Sequence, residues 1–171
     1  GGALLRDLDR LLAEETGLIE AIGEWTLRQA CADAARWPVK ARIAVNVSAI
    51  QFANPRLPSL VQQVLSQSGL DPDRLELEIT ETVFVVGDET TDRQFAALKA
   101  LGIRLALDDF GTGYSSLGYL QRAPFDKIKI DQSFVRGATE GQNRNAAIIT
   151  AIVSLAETLN METTVEGVET H

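Results

Sequence analysis

The stretch that decides the fold is Leu75-Glu76-Leu77-Glu78-Ile79-Thr80-Glu81. Successive side chains of a β-strand point to opposite faces, so the aliphatic side chains of this stretch share one face and the glutamates at 76 and 78 share the other. Residues 43–48 and 127–131 alternate in the same way. The sheet is therefore predicted to have one aliphatic face, suited to packing against helices, and one polar and charged face.

Strands and helices alternate along the chain, which favours parallel βα units. A doubly wound sheet is apolar on both faces, whereas a (β/α) barrel admits polar side chains inside when they meet at a site at its carboxyl end. Both architectures fit the alternation, and the polar face favours the α/β barrel. The predicted strands are 43–48, 75–81, 104–108, 127–131 and 163–168, and the predicted helices are 18–37, 58–69, 88–101 and 145–159.

The strand count is too small for a closed barrel. Such a barrel has eight strands and typically takes about 250 residues, whereas this chain has 171 residues. No repeat, low-complexity run or linker divides the chain, so residues 1–171 are expected to form a single domain. We therefore predict a barrel that is incomplete in this chain.

Helical spacing of apolar residues predicts which helix faces are buried. Residues 18–37 are expected to form an amphipathic helix stopped by Pro38. Large aromatic side chains are expected in the core. The predicted apolar face of this helix comprises Leu18, Ile22, Trp25 and Ala30, and the predicted core aromatics are Trp25, Trp37, Phe95 and Phe134.

Charge and composition limit the function. The net charge is −8 and the pI is about 4.7, which argues against a nucleic-acid polymer or a membrane surface as the partner. The only cysteine is Cys31, so we expect no internal disulfide and a cytoplasmic location, within a longer protein that a membrane segment could anchor. The only histidine is His171, which makes histidine catalysis and His-rich zinc sites improbable.

Oxygen-bearing side chains collect where the predicted strands end, which is where active sites of such barrels form. Oxygen ligands suit Mg²⁺, Mn²⁺ or Ca²⁺, and carboxylates that bridge two such ions hydrolyse phosphate esters. Taken singly each residue has a structural explanation: a turn cap for Asn46, an ion pair with Lys129 for Glu78, solvation for Glu166. Deeper inside, Glu76 and Lys127 are expected to form a buried ion pair. The full set comprises five oxygen-bearing side chains and one amine: Asn46, Glu78, Asp108, Asp109 and Glu166, with Lys129 as the amine.

Several motifs, in order from residue 12 to the end of the chain, resemble the EAL domain. They are Leu-Ala-Glu-Glu-Thr-Gly-Leu-Ile (12–19), Ile-Gly-Glu-Trp (22–25), Asn-Val-Ser (46–48), Gln-Phe (51–52), Leu-Glu-Leu-Glu-Ile-Thr-Glu (75–81), Asp-Asp-Phe-Gly-Thr-Gly-Tyr-Ser-Ser-Leu (108–117), Lys-Ile-Asp (129–131), Ser-Phe-Val (133–135) and Glu-Gly-Val-Glu-Thr (166–170). The resemblance implies a modified TIM barrel. It also implies a phosphodiesterase that opens cyclic di-GMP to linear pGpG with Mg²⁺ or Mn²⁺ at a two-metal site that Ca²⁺ inhibits.

The resemblance also implies a role for each matching residue. It makes Asn46, Glu78, Asp108 and Asp109 metal ligands, Lys129 a neighbour of the catalytic water and Glu166 the general base. Glu81 and Glu169 match carboxylates that steady the loop 108–116, which in the family links metal binding to dimerisation. A homodimer and an accompanying GGDEF or sensory module are therefore expected. For the guanines and phosphates of cyclic di-GMP the candidates are Ser48 and Gln51.

The chain departs from the family pattern at both ends. Residues 2–6, Gly-Ala-Leu-Leu-Arg, match the Glu-Ala-Leu-Leu-Arg signature with Gly2 in place of a metal-binding Glu. Alternatively, residues 1–11 resemble the linker helix that often precedes an EAL domain. The chain also ends before the family's last strand. These departures leave a second interpretation open, a catalytically silent EAL receptor that binds cyclic di-GMP and signals by conformation.

Overall fold

The computed structural model describes residues 12–84, 89–111, 118, 120, 123–139 and 143–165. Five strands and six α-helices have their full bounds within these residues, and residues 12–15 are also helical. The strands are β1 (Ile43–Val47), β2 (Leu75–Thr80), β3 (Arg104–Phe110), β4 (Lys127–Ile130) and β5 (Glu162–Val165). The helices are α1 (Leu18–Ala35), α2 (Ala49–Ala53), α3 (Leu57–Ser68), α4 (Glu89–Ala100), α5 (Gln132–Thr139) and α6 (Asn143–Thr158), with 3₁₀ turns at Pro72–Arg74 and Glu81–Phe84.

The strands form one parallel sheet in the order β1-β2-β3-β4-β5. A doubly wound sheet reverses its strand order at a switch point, and this order has no reversal. The described sheet is therefore a section of barrel wall, which decides between the two architectures that the sequence left open. All five carboxyl ends lie at the same rim.

The outer face of the sheet forms the hydrophobic core, as the alternation in β2 predicts. Leu75, Leu77 and Ile79 are fully buried, and so are Leu105 and Ile128 of the neighbouring strands. An aromatic cluster covers this face, with Phe95 of α4 at its centre. Ring centroids lie 4.6 Å apart for Phe52 and Phe95, 5.3 Å for Phe95 and Phe125, and 6.0 Å for Phe84 and Phe95. The predicted burial of Phe95 is confirmed, and Phe134 is partly buried.

The prediction for the apolar face of α1 is wrong for three of its four residues, and only Ala30 packs, partly buried, against the core. Leu18, Ile22 and Trp25 are 58%, 48% and 66% exposed, and Trp37, beyond the end of the helix, is 39% exposed. The helix instead buries Leu27, Cys31 and Ala34, which recur at the spacing of one helix face. Cys31 and Ala34 are small, so they let the helix lie close to its neighbours, whereas the larger apolar side chains remain outside.

The inner face carries an ion cluster near the amino ends of the strands. Lys127 Nζ bonds to Glu76 Oε1, which confirms the predicted pair, and Arg104 Nε lies 3.4 Å from Glu76 Oε2. Arg104 Nη2 also lies 2.9 Å from Glu162 Oε2. Opposite charges therefore lie together on β2, β3, β4 and β5. We call Glu76, Arg104, Lys127 and Glu162 the floor cluster.

The sequence predicted some of the remaining helix and strand boundaries and missed others. Helix α3 starts at Leu57 with a proline in its first turn and ends at Gly69, whose φ of 69° is left-handed, as the sequence predicts. The short helices α2 and α5 were not predicted. Strand β5 is described as Glu162–Val165, and the rest of its predicted range lies outside the described residues. In the described part of the chain, no helix has the length and hydropathy to cross a bilayer.

Candidate functional site

The centre of the candidate site is the ammonium group of Lys129. Its Nζ lies 2.7 Å from Glu78 Oε2 and 3.0 Å from Asp108 Oδ1. Lys129 on β4 reaches Glu78 on β2 across β3, where the register places Ala106 beside Glu78. Ala106 has a short side chain, and this leaves room for the longer side chains on either side. Three residues that the sequence assigned to the site are thus brought together on three neighbouring strands.

Asn46 lies on the same inner face, one strand away. The register of β1 and β2 pairs Asn46 with Glu78, and neighbouring strands are about 4.8 Å apart. Asn46 is exposed because β1 is an edge of the described sheet. Asn46 therefore lies at the rim of the site, on the strand next to Glu78.

Asp108 and Asp109 lie in an irregular part of β3. The register with β4 shifts between Leu107 and Phe110, and Asp109 has a left-handed φ of 54°. The Asp109 N–H donates to Asp108 Oδ1 at 3.1 Å. In a regular strand two adjacent side chains point to opposite faces, whereas a bulge redirects them. The sequence predicted the acidic pair but not the bulge.

Glu81 lies in the 3₁₀ turn that follows β2, and it contacts the chain just after the bulge. The Gly111 N–H donates to Glu81 Oε1 at 2.6 Å. A carboxylate that accepts a backbone N–H forms a strong, charge-assisted hydrogen bond. Glu81 thus lies where the resemblance implies an anchor for the start of the loop, and its role there remains a prediction.

Ser48 and Gln51 are both buried and bond to each other's backbone. The Gln51 N–H donates to Ser48 Oγ at 3.2 Å, and the Ser48 N–H donates to Gln51 Oε1 at 3.1 Å. This reciprocal pair is a capping box, and it starts α2 directly after β1. The pattern Ser-x-x-Gln was a visible signal for α2. The two side chains therefore have a structural role, and their predicted contact with substrate stays a prediction.

Burial affects the pKa of the Glu78 carboxyl group. Removal from water raises the pKa of its carboxyl group above the usual 4.5, and the hydrogen bond and charge of Lys129 partly oppose this rise. Two carboxyl groups, those of Glu78 and Asp108, lie against the single Lys129 ammonium, and hard oxygen ligands of this kind fit Mg²⁺ or Mn²⁺. No three His, Cys, Asp or Glu side chains of the described residues converge as a metal site. Lys129 lies between the Glu78 and Asp108 carboxylates. Asn46, a further expected ligand, carries an amide and is therefore not one of these four residue types.

The remaining predicted site residues lie outside the described residues. Glu166 is the residue after β5, and Glu169 follows within the same undescribed end of the chain. Residues 112–116 of the loop 108–116 also lie outside the described residues. The roles of Glu166 and Glu169 therefore remain predictions.

Comparison with known proteins identifies the family to which this fold belongs. The family model described as the EAL domain matches residues 10–171. MucR of Pseudomonas aeruginosa, named a bifunctional diguanylate cyclase/cyclic di-GMP phosphodiesterase, is 43% identical over 163 residues, covering 93% of this chain and 24% of MucR. A solved structure of the PaMucR phosphodiesterase in a c-di-GMP complex matches with a TM-score of 0.88 and 43% identity, covering 94% of this chain and 66% of that one.

A manganese and cyclic di-GMP complex of Klebsiella pneumoniae BlrP1 matches with a TM-score of 0.79 and 32% identity, covering 88% of this chain and 39% of that one. The chain belongs to the EAL domain family, and its fold is the modified TIM barrel of that family, incomplete across the described residues. It spans about a fifth to a quarter of the length of the curated relatives it matches.

Proposed function

We propose that this chain is a metal-dependent phosphodiesterase domain that hydrolyses cyclic di-GMP to linear pGpG. The observation that carries the proposal is the contact of Lys129 with both Glu78 and Asp108 at the carboxyl ends of the strands. Membership of the EAL family supports it, as do the names of MucR and of its c-di-GMP complex. We assign residues 1–171 to one domain of a longer signalling protein that includes a GGDEF or sensory module.

In this proposal the oxygen ligands Asn46, Glu78, Asp108 and Asp109 hold two Mg²⁺ or Mn²⁺ ions. When bound, these ions neutralise the phosphate and lower the pKa of a bound water. Mn²⁺ is supported by the BlrP1 complex named above. Ca²⁺ is expected to inhibit, because its larger size and flexible coordination give a different ligand geometry.

Lys129 and Glu166 perform the chemistry that the chain itself supplies. The Lys129 ammonium donates hydrogen bonds to the attacking water or to a phosphate oxygen, in addition to the two carboxylates that it already contacts. The Glu166 carboxylate accepts the proton from the attacking water. A new bond forms from the water oxygen to phosphorus, and the bond from phosphorus to one ribose 3′ oxygen breaks. That oxygen takes up a proton from solvent, and Glu166 later returns its own proton to solvent, so the step balances.

Glu81 and Glu169 act on the loop rather than on the substrate. The bond from Gly111 to Glu81 holds the start of the loop, and we propose that Glu169 also steadies the loop. Through this loop, metal binding is linked to a homodimer. Ser48 and Gln51 remain our candidates for contacts to cyclic di-GMP at the rim beside Asn46.

The experiment is an assay of the purified chain with cyclic di-GMP in Mg²⁺, Mn²⁺, Ca²⁺ or chelator, with pGpG measured by chromatography. Turnover is expected in Mg²⁺ and Mn²⁺ only, and it should be lost in Glu166→Gln. Glu157→Gln, an exposed glutamate on α6, is the matched control and should keep full activity. Turnover in chelator, or an active Glu166→Gln variant, would overturn the mechanism.

The second candidate is a receptor without catalytic activity. The feature in its favour is the alignment of residues 2–6 with the family's signature, which would put Gly2 in place of a metal-binding Glu, although these residues lie outside the range 10–171 that the family model matches. Calorimetry with cyclic di-GMP in Ca²⁺, run beside the assay, separates the two candidates. Tight binding without pGpG would establish the receptor, and turnover would exclude it.

A further inference from the structure

Gly111, the first residue after β3, is held from two sides. On one side its N–H donates to Glu81 Oε1 at 2.6 Å. On the other side lies the ring of Phe134, because a Cβ added to Gly111 would be 2.9 Å from both Cε2 and Cζ of that ring. The φ of Gly111 is also left-handed, at 96°. Only glycine meets both requirements at low cost, so the ring packs directly on the backbone here.

The turn between β4 and α5 fixes the position of Phe134. The Ser133 N–H donates to Asp131 Oδ1 at 2.9 Å, and the Phe134 N–H donates to the Asp131 carbonyl oxygen at 3.2 Å. These bonds form a compact turn directly after β4. The strand that carries Lys129 therefore also positions the ring that contacts Gly111.

Gly111 directly follows the bulge that contains both aspartates. The ladder to β4 is irregular between Leu107 and Phe110, so the regular strand pairing does not by itself fix the path of the chain at Asp108 and Asp109. Contacts made just after the bulge then determine its course. The two contacts on Gly111 come from different parts of the chain, one from the turn after β2 and one from the turn after β4.

We propose that Phe134 is a positioning residue whose ring holds Gly111 against Glu81, and that this clamp fixes the orientation of Asp108 and Asp109. The clamp comprises Glu81, Gly111 and Phe134. The inference deepens the proposed function, and it depends on that function only for the metal-binding role of the two aspartates. Phe134 was predicted from the sequence as a core residue, and it is partly buried and packs against the core.

The first test measures hydrogen exchange of the Gly111 amide by NMR in metal-free protein. Phe134→Ala should speed this exchange, Phe134→Leu should speed it less, and Glu81→Gln should act in the same direction because it weakens the same hydrogen bond. Leu155→Ala is the matched control, since it removes a partly buried side chain of α6 that packs against the core. Unchanged exchange in Phe134→Ala, or an equal rise in Leu155→Ala, would overturn the clamp.

The second test measures Mn²⁺ affinity by calorimetry, without substrate. Residues that orient metal ligands typically contribute about 10-fold to 100-fold to metal affinity, so Phe134→Ala should weaken Mn²⁺ binding by at least that lower factor. Leu155→Ala should leave it unchanged. Faster Gly111 exchange with unchanged Mn²⁺ affinity would reduce Phe134 to a packing residue and overturn the positioning role.

A double-mutant cycle keeps the proposal testable if single variants are unstable. Gly111→Ala should destabilise the protein, and part of that loss should disappear in the Phe134→Ala background, because the clash with the ring is removed while the strain of the φ angle remains. Additive losses would overturn the clamp. Failure of the wild type to hydrolyse cyclic di-GMP would count against the proposed function. It would not affect what the hydrogen-exchange measurement and the double-mutant cycle show about the clamp.

Discussion

Lys129 Nζ lies 2.7 Å from Glu78 Oε2, so two buried charges of opposite sign join β4 to β2 across the inner face of the sheet. Neither side chain is more than about a tenth exposed. Charges so far from water need partners, and each partly satisfies the other. The shared position of the ammonium group between two carboxylates makes Lys129 the residue on which the charge balance of the site depends.

Lys129→Met is expected to lower the free energy of unfolding at neutral pH by about 3 to 5 kcal/mol in chelator, because it leaves buried carboxylates without their cation. Mn²⁺ should restore part of this loss by supplying positive charge at the same place. Urea unfolding with and without Mn²⁺ measures both effects.

Lys99→Met is the matched control for that substitution. Lys99 Nζ lies 2.8 Å from Asp126 Oδ2, in an ion pair remote from the carboxyl rim. The control should lose stability without recovery in Mn²⁺. Equal recovery in the two variants would exclude a cation site beside Glu78 and Asp108.

The raised pKa of Glu78 predicts a pH dependence of stability in metal-free protein. Burial, the main cause, raises the folded-state pKa above the usual 4.5. The folded state therefore binds this proton more tightly than the unfolded state, so the contribution of Glu78 is most favourable below pH 4.5 and is lost as the pH rises through the raised pKa. The stability of the wild type relative to Glu78→Gln should thus fall between acid and neutral pH in chelator.

Chemical denaturation of the two proteins across that pH range tests the sign. Mn²⁺ affinity should rise over the same range, because the cation binds the ionised carboxylate. A relative stability that rises with pH in chelator would show that Lys129 outweighs burial and that the direction is wrong.

The floor cluster is expected to be essential for folding. Glu76→Gln leaves the Lys127 and Arg104 cations without their shared carboxylate, which is 3% exposed, and such a loss typically costs about 3 to 5 kcal/mol. Glu24→Gln removes a half-exposed pair with Arg28 on α1 and should cost about 0.5 kcal/mol. Thermal or urea unfolding measures both, and similar losses would contradict the importance of burial here.

Substitutions of a buried and an exposed aromatic residue test the finding that Trp25 of α1 lies outside the core. Phe95 is 2% exposed and Trp25 is 66% exposed. Phe95→Ala should therefore cost about 3 to 5 kcal/mol, whereas Trp25→Ala should change stability by about 0.5 kcal/mol. A large loss in Trp25→Ala, measured by urea unfolding, would mean that the tryptophan is covered in solution.

The sequence correctly predicted the features that follow from the alternation of apolar and charged residues along a strand. The pattern of β2 was enough to place Glu76 and Glu78 on the inner face and Leu77 in the core. It could not show which stripe of α1 faces the sheet, because Trp25 is more hydrophobic than Cys31 and only the closeness of packing decides between them. The irregularity at Asp109 was also hidden, since strand alternation carries no sign of an extra residue in the ladder.

The candidate site was predictable as a set of residues but not as a geometry. Asn46, Glu78 and Asp108 were each assigned from their places at strand ends, and parallel pairing put them at one rim. Lys129 reaches across β3 because Ala106 has a short side chain. The sequence does not show that Ala106 lies between Lys129 and Glu78 until the strand register is known. Gly111 and Phe134 are far apart in sequence, so their contact had no sequence signal beyond the glycine itself.

The floor cluster also has an evolutionary consequence. Since a single change at Glu76 or Lys127 leaves an unbalanced charge inside the barrel, the two positions should change together or not at all. Among related proteins we expect a paired replacement by uncharged side chains, or an exchange of the two signs, far more often than either substitution alone.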